Sequence, residues 1–493
     1  MKRSSGILMH ISSLPNNFGI GSLGIECYKF IDFLKKGGQK YWQILPLNQT
    51  GFGNSPYQSI YSNSFNPYFI SLEILNKEKL LTKKELLAEK VLGNKVDYGR
   101  LAERRLKVLR KAFSRFDKTD EDFVAFVKKG EYRDYALFMI LLDENSDFYK
   151  WERKYKLRDK SGLKRLEKEK NEDFLFYNFI QYEALLQWTM VKGYALKNGI
   201  KIIGDMPLYV SSVSVDVWKN PELFKLDENL RPTKIAGVPP DYFSETGQVW
   251  GNPVFNYEEH KKDNFSWWKN RLLTALKKYD VVRIDHFRGL DRYFEIDFGE
   301  ETAVNGVWVD APGREIFDEV KKKVKGEKII LEDLGIIDDG VIALKNYVNY
   351  KGMSVLSFAF NGDEYNKYLP KNLEENTVLY TGTHDNNTLL GLINGLDDWD
   401  RKNFINGVIE SSKLLNIKGK LKTKEDFVNR VITLGAKSKA EIFIIPYQDL
   451  LVKDESYRMN TPSTLTNDNW AVRFTKKDFN DKILKKLTKI GDR

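Results

Sequence analysis

The feature that most constrains the fold of this chain is a series of short apolar runs separated by amphipathic segments. Each run is continuously apolar and rich in β-branched residues, which is typical of parallel strands buried on both faces. Helical patterns such as residues 27–38 and 265–279 lie between most of them. Eight such strands are the number that closes a parallel barrel. The runs lie at residues 6–15, 41–48, 201–210, 280–287, 328–335, 354–363, 377–387 and 441–451.

A doubly wound open sheet is the alternative that the same pattern permits. Such a sheet gathers its ligands at one switch point, whereas a barrel collects functional side chains from the carboxyl ends of many strands. Every run except the first two ends within a few residues of Asp or Glu. Because polar groups follow so many strands, we predict an α/β fold of the (β/α)8 type, with residues 1–493 forming a single catalytic barrel.

Two connections between the predicted strands are too long for a simple βα unit. The first contains a Lys/Glu/Leu-rich stretch at 75–190 with helical periodicity and no proline. We expect it to form a mostly helical insertion between the second and third barrel strands. The second connection, residues 211–265, is rich in Pro, Gly, Asp and Trp. We expect a loop-rich insertion after the third strand, and its aromatic residues indicate a functional loop.

Composition and charge exclude several classes of protein. With 42% hydrophobic and 30% charged residues, the chain is typical of globular proteins. The net charge of +10 could indicate nucleic acid, but Lys far outnumbers Arg and alternates with Glu in stretches such as 156–173. The longest apolar run, 136–142, is too short to cross a bilayer. We expect a cytoplasmic protein that binds neither nucleic acid nor membrane.

Motifs for metals, nucleotides and serine nucleophiles are absent or incomplete. With a single cysteine, Cys27, and four histidines without H-x-x-H spacing, we expect no metal site. The glycines at 19, 21 and 24 spell G-x-G-x-x-G, but the next strand ends without the acidic residue that holds a ribose. We therefore expect a tight βα turn there. Neither G-x-S-x-G nor a phosphate loop is present, so we expect no cofactor.

Acidic residues stand at the ends of several predicted strands. Asp285 follows the fourth run, the pair Glu332 and Asp333 follows the fifth, and Asp385 follows the seventh. At the mouth of a barrel these side chains would converge. Cleavage of a glycosidic bond requires two carboxyl groups beside the scissile bond. One strand-end acid is more often a helix cap or an ion-pair partner, but several with neighbouring Arg and His favour a catalytic site.

Aromatic and amide residues recur in the predicted loops. Tyr57 follows the second run, and Gln248 and Trp250 lie in the second long connection. Asn469 and Trp470 lie near the end of the chain. Sugars present apolar ring faces and hydroxyl groups, which suit aromatic rings and polar side chains respectively. Since glycine follows Trp250, we expect its ring to be exposed and to form a platform for a bound glucose.

Several longer motifs together resemble a known family. They are SSLPNNFGIGSLG, GDMPLYV, GVPPDYFSETGQVWGNP, VRIDHFRG, GVWVDAPGREIF, EDLG, SFAF, TGTHDNNT and RMNTPST…NW. In this order they are similar to bacterial 4-α-glucanotransferases (amylomaltases) of glycoside hydrolase family 77, over residues 10–475. The resemblance implies a (β/α)8 barrel with inserted subdomains and no separate C-terminal β-sandwich. It also implies transfer of α-1,4-glucan segments between maltooligosaccharides by a retaining mechanism.

The resemblance assigns catalytic roles to three carboxylates. Asp285 would be the nucleophile, Glu332 would be the acid/base, and Asp385 would hold sugar hydroxyls. Arg283 should keep Asp285 ionised, and burial should keep Glu332 protonated. About 5–5.5 Å should separate those two carboxyl groups in a retaining enzyme. The residues expected to line the point of cleavage or to contact neighbouring glucose units are Tyr57, Asp205, Asp241, Gln248, Trp250, Arg283, His286, His384 and Asn460.

The chain departs from the family pattern at three positions. Asn361 stands where Asp is usual, Lys367 interrupts the usual N-P-Y-L-P-H-N, and Ser463 replaces the glycine of N-x-P-G-T. None of these is one of the three carboxylates, so the departures concern the binding of the acceptor. Two other functions stay open: an α-glucan hydrolase using the same residues, and a catalytically silent glucan-binding protein. The sequence does not specify the oligomeric state or the preferred donor length.

Overall fold

A computed structural model describes residues 3–91, 93–240 and 244–493. The strands in these ranges are β1 (Ser4–Leu8), β2 (Tyr41–Gln43), β3 (Lys201–Met206), β4 (Lys234–Val238), β5 (Gln248–Pro253), β6 (Val281–Ile284), β7 (Arg292–Asp297), β8 (Val307–Asp310), β9 (Ile329–Leu331), β10 (Gly352–Val355), β11 (Thr377–Tyr380) and β12 (Ile442–Pro446). The α-helices are α1 (Ile25–Lys36), α2 (Leu72–Lys77), α3 (Lys83–Ala88), α4 (Tyr98–Arg115), α5 (Glu121–Lys129), α6 (Arg133–Glu144), α7 (Arg153–Lys156), α8 (Lys160–Glu169), α9 (Asn171–Lys197), α10 (Val215–Lys219), α11 (Tyr257–Lys262), α12 (Ser266–Lys278), α13 (Gly313–Lys321), α14 (Asp339–Val348), α15 (Leu389–Gly395), α16 (Asp398–Leu414), α17 (Lys424–Lys437), α18 (Tyr447–Leu450) and α19 (Asp481–Gly491).

Parallel strands close into a barrel in the order in which they occur along the chain. In the described part of the chain, β1, β2, β3, β6 and β9 run side by side, and β10, β11 and β12 lead back to β1. A parallel bridge between Ile330 and Lys351 joins β9 to β10, where the Leu331 N–H donates to the Lys351 carbonyl at 2.8 Å. This order has no switch point, so the (β/α)8 prediction is confirmed and the doubly wound sheet is excluded.

The barrel strands coincide with the predicted apolar runs but are shorter. The clearest difference is at β10, which ends at Val355, whereas the run was expected to extend over 354–363. Residues Leu356–Phe358 form a 3-10 turn instead. The apolar run continues past the strand because Leu356 and Phe360 are buried beneath the following segments. Apolar residues that are buried outside the sheet thus make the strand look longer in the sequence than it is.

The connection between β2 and β3 consists largely of the helices α2 to α9. Its last helix, α9, is 27 residues long. It packs both against other helices of the connection, such as α5 and α6, and against the barrel. The C-terminal half of α9 packs against α1 and β3. There the indole of Trp188 donates to the Lys278 carbonyl at 3.0 Å, and the hydroxyl of Tyr194 donates to Asp32 at 2.7 Å. This half is therefore the barrel helix that precedes β3.

The connection after β3 is more regular than the loop-rich segment that we expected. It contains α10, β4, β5 and α11. The strands β4 and β5 pair antiparallel and continue through β7 and β8 into a small sheet of order β5-β4-β7-β8. Glycines and prolines interrupt the alternation of apolar and polar residues that would have predicted these strands. Because β5 carries Gln248 and Trp250, the small sheet determines where both residues stand.

The glycine-rich stretch after β1 is a tight connection to α1. Gly19 has φ +84°, and a side chain on Gly21 would meet the carbonyl oxygen of Ile11 at 1.9 Å. Gly24 is the N-cap of α1. Backbone geometry thus requires glycine at positions 19 and 21. Within residues 3–91, 93–240 and 244–493, no helix combines the length and the apolar character needed to cross a membrane.

Candidate active site

The carboxyl ends of the barrel strands open into a cleft of about 430 Å³. Arg283 and Asp205 lie beneath it, and Glu332 lies beside it, where its side chain contacts the backbone of a cleft residue. Asp241 falls outside the described residues. The predicted residues that line the cleft directly are Tyr57, Gln248, Trp250, Asp285, His286, His384, Asp385 and Asn460.

The floor of the cleft, which we define as Asp205, Arg283 and Asp285, is a chain of ion pairs. Arg283 Nη1 lies 2.8 and 2.7 Å from the two carboxylate oxygens of Asp205 and 2.8 Å from Asp285 Oδ1. The Tyr57 hydroxyl donates to Asp205 Oδ2 at 2.7 Å. The side chains of Arg283 and Asp205 are 4% and 0% exposed. Because buried charges need partners, this geometry fixes the position of Asp285.

Glu332 follows β9 and is oriented by backbone N–H groups. The His286 N–H donates to its Oε2 at 2.8 Å, and the Leu334 N–H donates to its Oε1 at 3.1 Å. His286 has φ +50°, a left-handed conformation that is rare for a residue with a side chain. This backbone strain turns the His286 N–H toward the carboxylate. Strain of this kind is typical of functional sites.

The surroundings of the two carboxyl groups raise their pKa values to different extents. Burial raises the pKa of Asp285 to about 6, and Arg283 opposes the rise. Burial raises the pKa of Glu332 to about 8, where Arg283 again opposes and the charge of Asp285 adds to the rise. Both pKa values are raised, and that of Glu332 more than that of Asp285, which favours an ionised Asp285 beside a protonated Glu332 at neutral pH. A pair of carboxyl groups with separated pKa values can act as nucleophile and acid.

The residue next to Glu332 has a structural role. Asp333 is buried and accepts a hydrogen bond from the Met353 N–H at 2.7 Å. Its other oxygen pairs with Lys345 Nζ at 2.7 Å. These contacts tie the end of β9 to β10 and α14. The strand-end pattern alone left both acids as candidates, whereas the structure brings only Glu332 to the backbone beside Asp285.

Asp385 lies in the connection that follows β11. Its Oδ1 accepts from Asn460 Nδ2 at 2.6 Å, and its Oδ2 is 3.4 Å from His384 Nε2. Its main-chain carbonyl accepts from Arg458 Nη2 at 2.6 Å. The ring of His384 stacks on that of Tyr57, with centroids 5.0 Å apart and an angle of 13° between the planes. This stack links the wall of the cleft to its floor.

Trp250 is half-buried, which is less exposed than we expected, and its ring lines the cleft. The ring stands nearly perpendicular to that of His286, with centroids 4.8 Å apart. Its Nε1 donates to Gln248 Oε1 at 3.1 Å. Burial lowers the pKa of His286 to about 4, so this imidazole is neutral at pH 7. The wall of the cleft therefore offers an aromatic edge and neutral polar groups.

Some contributors to the site were not predicted. Arg458 donates to the carbonyls of Asp385 and Asn460, and Met353 Sδ accepts from Arg283 Nε at 3.3 Å. Gln58 Nε2 donates to the Trp250 carbonyl at 3.1 Å. A strand methionine gives no polar signal in the sequence. In the part of the chain that the structure describes, no group of three or more His, Cys, Asp or Glu residues could hold a metal ion.

The three departures from the family pattern have different surroundings. The side chain of Asn361 accepts from the Asp363 N–H at 3.2 Å, within its own loop. Burial lowers the pKa of Lys367, whose ammonium lies 5.0 Å from the Tyr368 ring centroid. Ser463 lines the cleft with φ +61°, a conformation that glycine adopts without strain. The glycine usual in the family at that position thus has a clear backbone reason.

Comparison with known proteins shows the family to which the chain belongs. A family model described as 4-alpha-glucanotransferase, for glycoside hydrolase family 77, matches residues 9–478. The 4-alpha-glucanotransferases of Clostridium butyricum and Aquifex aeolicus (strain VF5) are each 42% identical to the chain, over 98% and 100% of it and over 98% and 99% of their own lengths. An amylomaltase from Streptococcus agalactiae, solved in complex with acarbose, has a TM-score of 0.93 and 36% identity over 100% of both chains. This chain therefore belongs to the 4-α-glucanotransferase family, glycoside hydrolase family 77.

Proposed function

We propose that this enzyme moves α-1,4-linked glucan segments from a donor to an acceptor maltooligosaccharide. The observation that carries the proposal is the pairing of two carboxyl groups in different states at one barrel mouth. Asp285 is held against Arg283 at 2.8 Å, and Glu332 accepts hydrogen bonds from backbone N–H groups while burial raises its pKa. Membership of a family with this activity supports the same function.

In the first half-reaction, Asp285 attacks the anomeric carbon of the donor. Because Arg283 lies against its Oδ1, the second oxygen of Asp285 is left to form the new bond. Glu332 gives its proton to the glycosidic oxygen as the carbon–oxygen bond breaks, so the leaving glucan departs as an alcohol. The product of this step is a glycosyl ester of Asp285 and an ionised Glu332.

In the second half-reaction, a glucan hydroxyl replaces the leaving group. Glu332 takes the proton of this hydroxyl while its oxygen attacks the anomeric carbon and displaces the Asp285 carboxylate. Two inversions at one carbon restore the α configuration. Both carboxyl groups then have their starting protonation states, so the cycle requires no net proton and no external group.

The other predicted residues bind the sugars in this proposal. Asp385, oriented by Asn460, accepts hydrogen bonds from hydroxyls of the glucose unit at the point of cleavage. His286 and His384 line the same position. Trp250 supports a neighbouring glucose unit. Gln248, Tyr57 and Asp205 complete the binding surface, and Asp241 is included by its motif alone.

The single cysteine suits a reducing compartment, and the proposal includes a cytoplasmic location. The substrates are α-1,4-glucans as donors and maltooligosaccharides as acceptors. The S. agalactiae amylomaltase was solved with acarbose. This gives acarbose as the probe for a crystallographic test of the mechanism. With acarbose bound, the carboxyl groups of Asp285 and Glu332 should lie about 5–5.5 Å apart. A separation near 9 Å would indicate inversion and contradict the proposal.

Incubation with maltotriose, followed by chromatography of the products, separates the possible functions. A glucanotransferase produces glucose together with maltooligosaccharides longer than maltotriose. A hydrolase produces only shorter sugars, and a silent binding protein leaves maltotriose unchanged. The matched control is Asp285→Asn, prepared in parallel, which should produce neither set of products. Formation of longer sugars by the wild-type enzyme alone is the expected result.

A further inference from the structure

We propose that Asp449, a buried carboxylate outside the cleft, is a positioning residue for residues 381–389, which we call the Asp385 segment. Asp449 lies in α18, directly after β12, and is 2% exposed. It does not contact the substrate in the mechanism above. The proposal rests on the proposed role of Asp385 in holding sugar hydroxyls, and it adds a residue that acts through that role.

The two oxygens of Asp449 bind the two ends of the Asp385 segment. The Thr381 hydroxyl donates to Oδ2 at 2.7 Å, and the Leu389 N–H donates to Oδ1 at 2.7 Å. Thr381 and Leu389 are both buried, so water does not replace these bonds. A single carboxylate thus joins the exit of β11 to the start of α15.

The middle of the Asp385 segment is a compact turn held by internal hydrogen bonds. The N–H and the hydroxyl of Thr383 both donate to Asn386 Oδ1, at 2.8 and 2.9 Å. The Asp385 N–H lies 3.3 Å from the Thr383 hydroxyl oxygen, which accepts from it. Since these bonds are internal, they define the shape of the turn but not its place over the barrel. Asp449 defines that place from the barrel side, and Asn460 and Arg458 hold Asp385 from the cleft side.

The chemistry of Asp449 favours positioning over simple stabilisation. Burial raises the pKa of Asp449 to about 6, and only its bonds to Leu389 and Thr381 oppose the rise. Among the described residues, no cation contributes to this balance. A buried carboxylate without a cation lowers the free energy of unfolding relative to an apolar side chain. An acceptor with two oxygens is, however, what two donors at the ends of one segment require.

The test compares two substitutions of Asp449 in steady-state disproportionation of maltotriose. Asp449→Ala removes both acceptors and should lower kcat/KM roughly 10- to 100-fold, because small displacements of a binding group have effects of this size. Asp449→Asn should stay within about 3-fold of the wild type. Its amide oxygen accepts from the Leu389 N–H, and its NH₂ donates to the Thr381 oxygen. Equal impairment of both variants would overturn the proposal.

A double-mutant cycle with Asp385→Asn separates positioning from stability. If Asp449 acts through Asp385, then Asp449→Ala should cost less than about 3-fold once Asp385 is already substituted. An equal fold-loss in both backgrounds, with every variant folded by circular dichroism, would show a structural role only. The matched control is Asp216→Ala, another buried aspartate, which accepts from the Ser62 N–H and hydroxyl. Its effect should be the same in both backgrounds.

Two further measurements keep the test decisive. If Asp449→Ala does not fold, Thr381→Val removes one of the two bonds with little change of volume. Its loss of kcat/KM should again shrink in the Asp385→Asn background, and an unchanged loss would overturn the proposal. The proposed function is tested separately by Asp385→Asn alone. Full activity of that single variant would contradict the role of Asp385, whereas only the cycle bears on Asp449.

Discussion

The floor of the cleft and its walls differ in how their side chains are held. Arg283 and Asp205, in the floor, are charged, almost fully buried and paired with each other at the ends of barrel strands. The walls are half-buried and use single hydrogen bonds, such as that from Trp250 Nε1 to Gln248 and that from Asn460 to the Asp385 carboxylate. Ion pairs hold the side chains of the floor, whereas packing and single hydrogen bonds hold those of the walls.

The floor and the walls should contribute differently to catalysis and to the binding of glucan. Removing one partner of a buried ion pair leaves an uncompensated charge, which costs several kcal/mol. The ion pairs of the floor can therefore hold reactive groups in fixed positions, but substitution of any partner should lower stability or activity. A wall residue held by one neutral bond costs far less to replace. Substitutions in the floor should thus affect turnover, whereas substitutions in the walls should affect the binding of glucan.

The largest effect is expected for Asp285→Ala in the floor. Loss of the nucleophile should reduce kcat with maltotriose by roughly 10⁴-fold or more, as for other covalent catalysts. Because Asp205 still neutralises Arg283, the variant should remain folded. Initial rates and thermal melting on one preparation measure both properties. Turnover within 100-fold of the wild type would mean that another group is the nucleophile.

The next effect concerns Glu332→Gln and depends on the leaving group. With maltotriose, loss of the acid should reduce turnover roughly 10²- to 10⁴-fold. With an α-maltosyl fluoride donor, the leaving fluoride needs no proton, so the glycosyl ester on Asp285 should still form. Mass spectrometry of the intact enzyme should then detect the added glycosyl group.

Asp285→Ala is the control for that experiment and should show no adduct with either donor. Equal residual activity of the two variants with both donors would contradict the assigned roles. The asymmetry is a sharp test because both residues are partly buried acids near the same guanidinium. They differ in their partners, since Asp285 pairs with Arg283 and Glu332 accepts from backbone N–H groups.

The pH dependence of kcat/KM should be bell-shaped. The active form has Asp285 ionised and Glu332 protonated, so activity should fall below pH about 6 as Asp285 gains a proton and above pH about 8 as Glu332 loses one. These limits belong to the coupled pair. With the maltosyl fluoride donor, formation of the adduct by Glu332→Gln should retain the acidic limb and lose the basic one. A basic limb that persists in this variant would assign that limb to another group.

The sequence predicted the fold and the floor better than the walls, and there is a physical reason. Barrel strands are buried on both faces, so their residues form continuous apolar runs, and Asp285 stands out as the first acid after such a run. The sheet that carries Trp250 leaves no such run because its strands β5 and β8 are partly exposed. Likewise, Arg458 and Met353 act through contacts between segments far apart in sequence. No local pattern reports such contacts.

The smallest effect is expected for Trp250→Ala, which tests the wall alone. The ring lines the cleft, stands edge-on to the rings of His286 and Tyr209, and has one hydrogen bond, to Gln248. Its removal should therefore raise KM for maltooligosaccharides by roughly 10-fold, or about 1.4 kcal/mol, and should change kcat much less. The control is Trp268→Ala, since Trp268 is only 3% exposed and its loss should lower the free energy of unfolding by about 3–5 kcal/mol. If Trp250→Ala destabilised the protein as much as Trp268→Ala while leaving KM unchanged, Trp250 would be core and the division between floor and wall would fail at that residue.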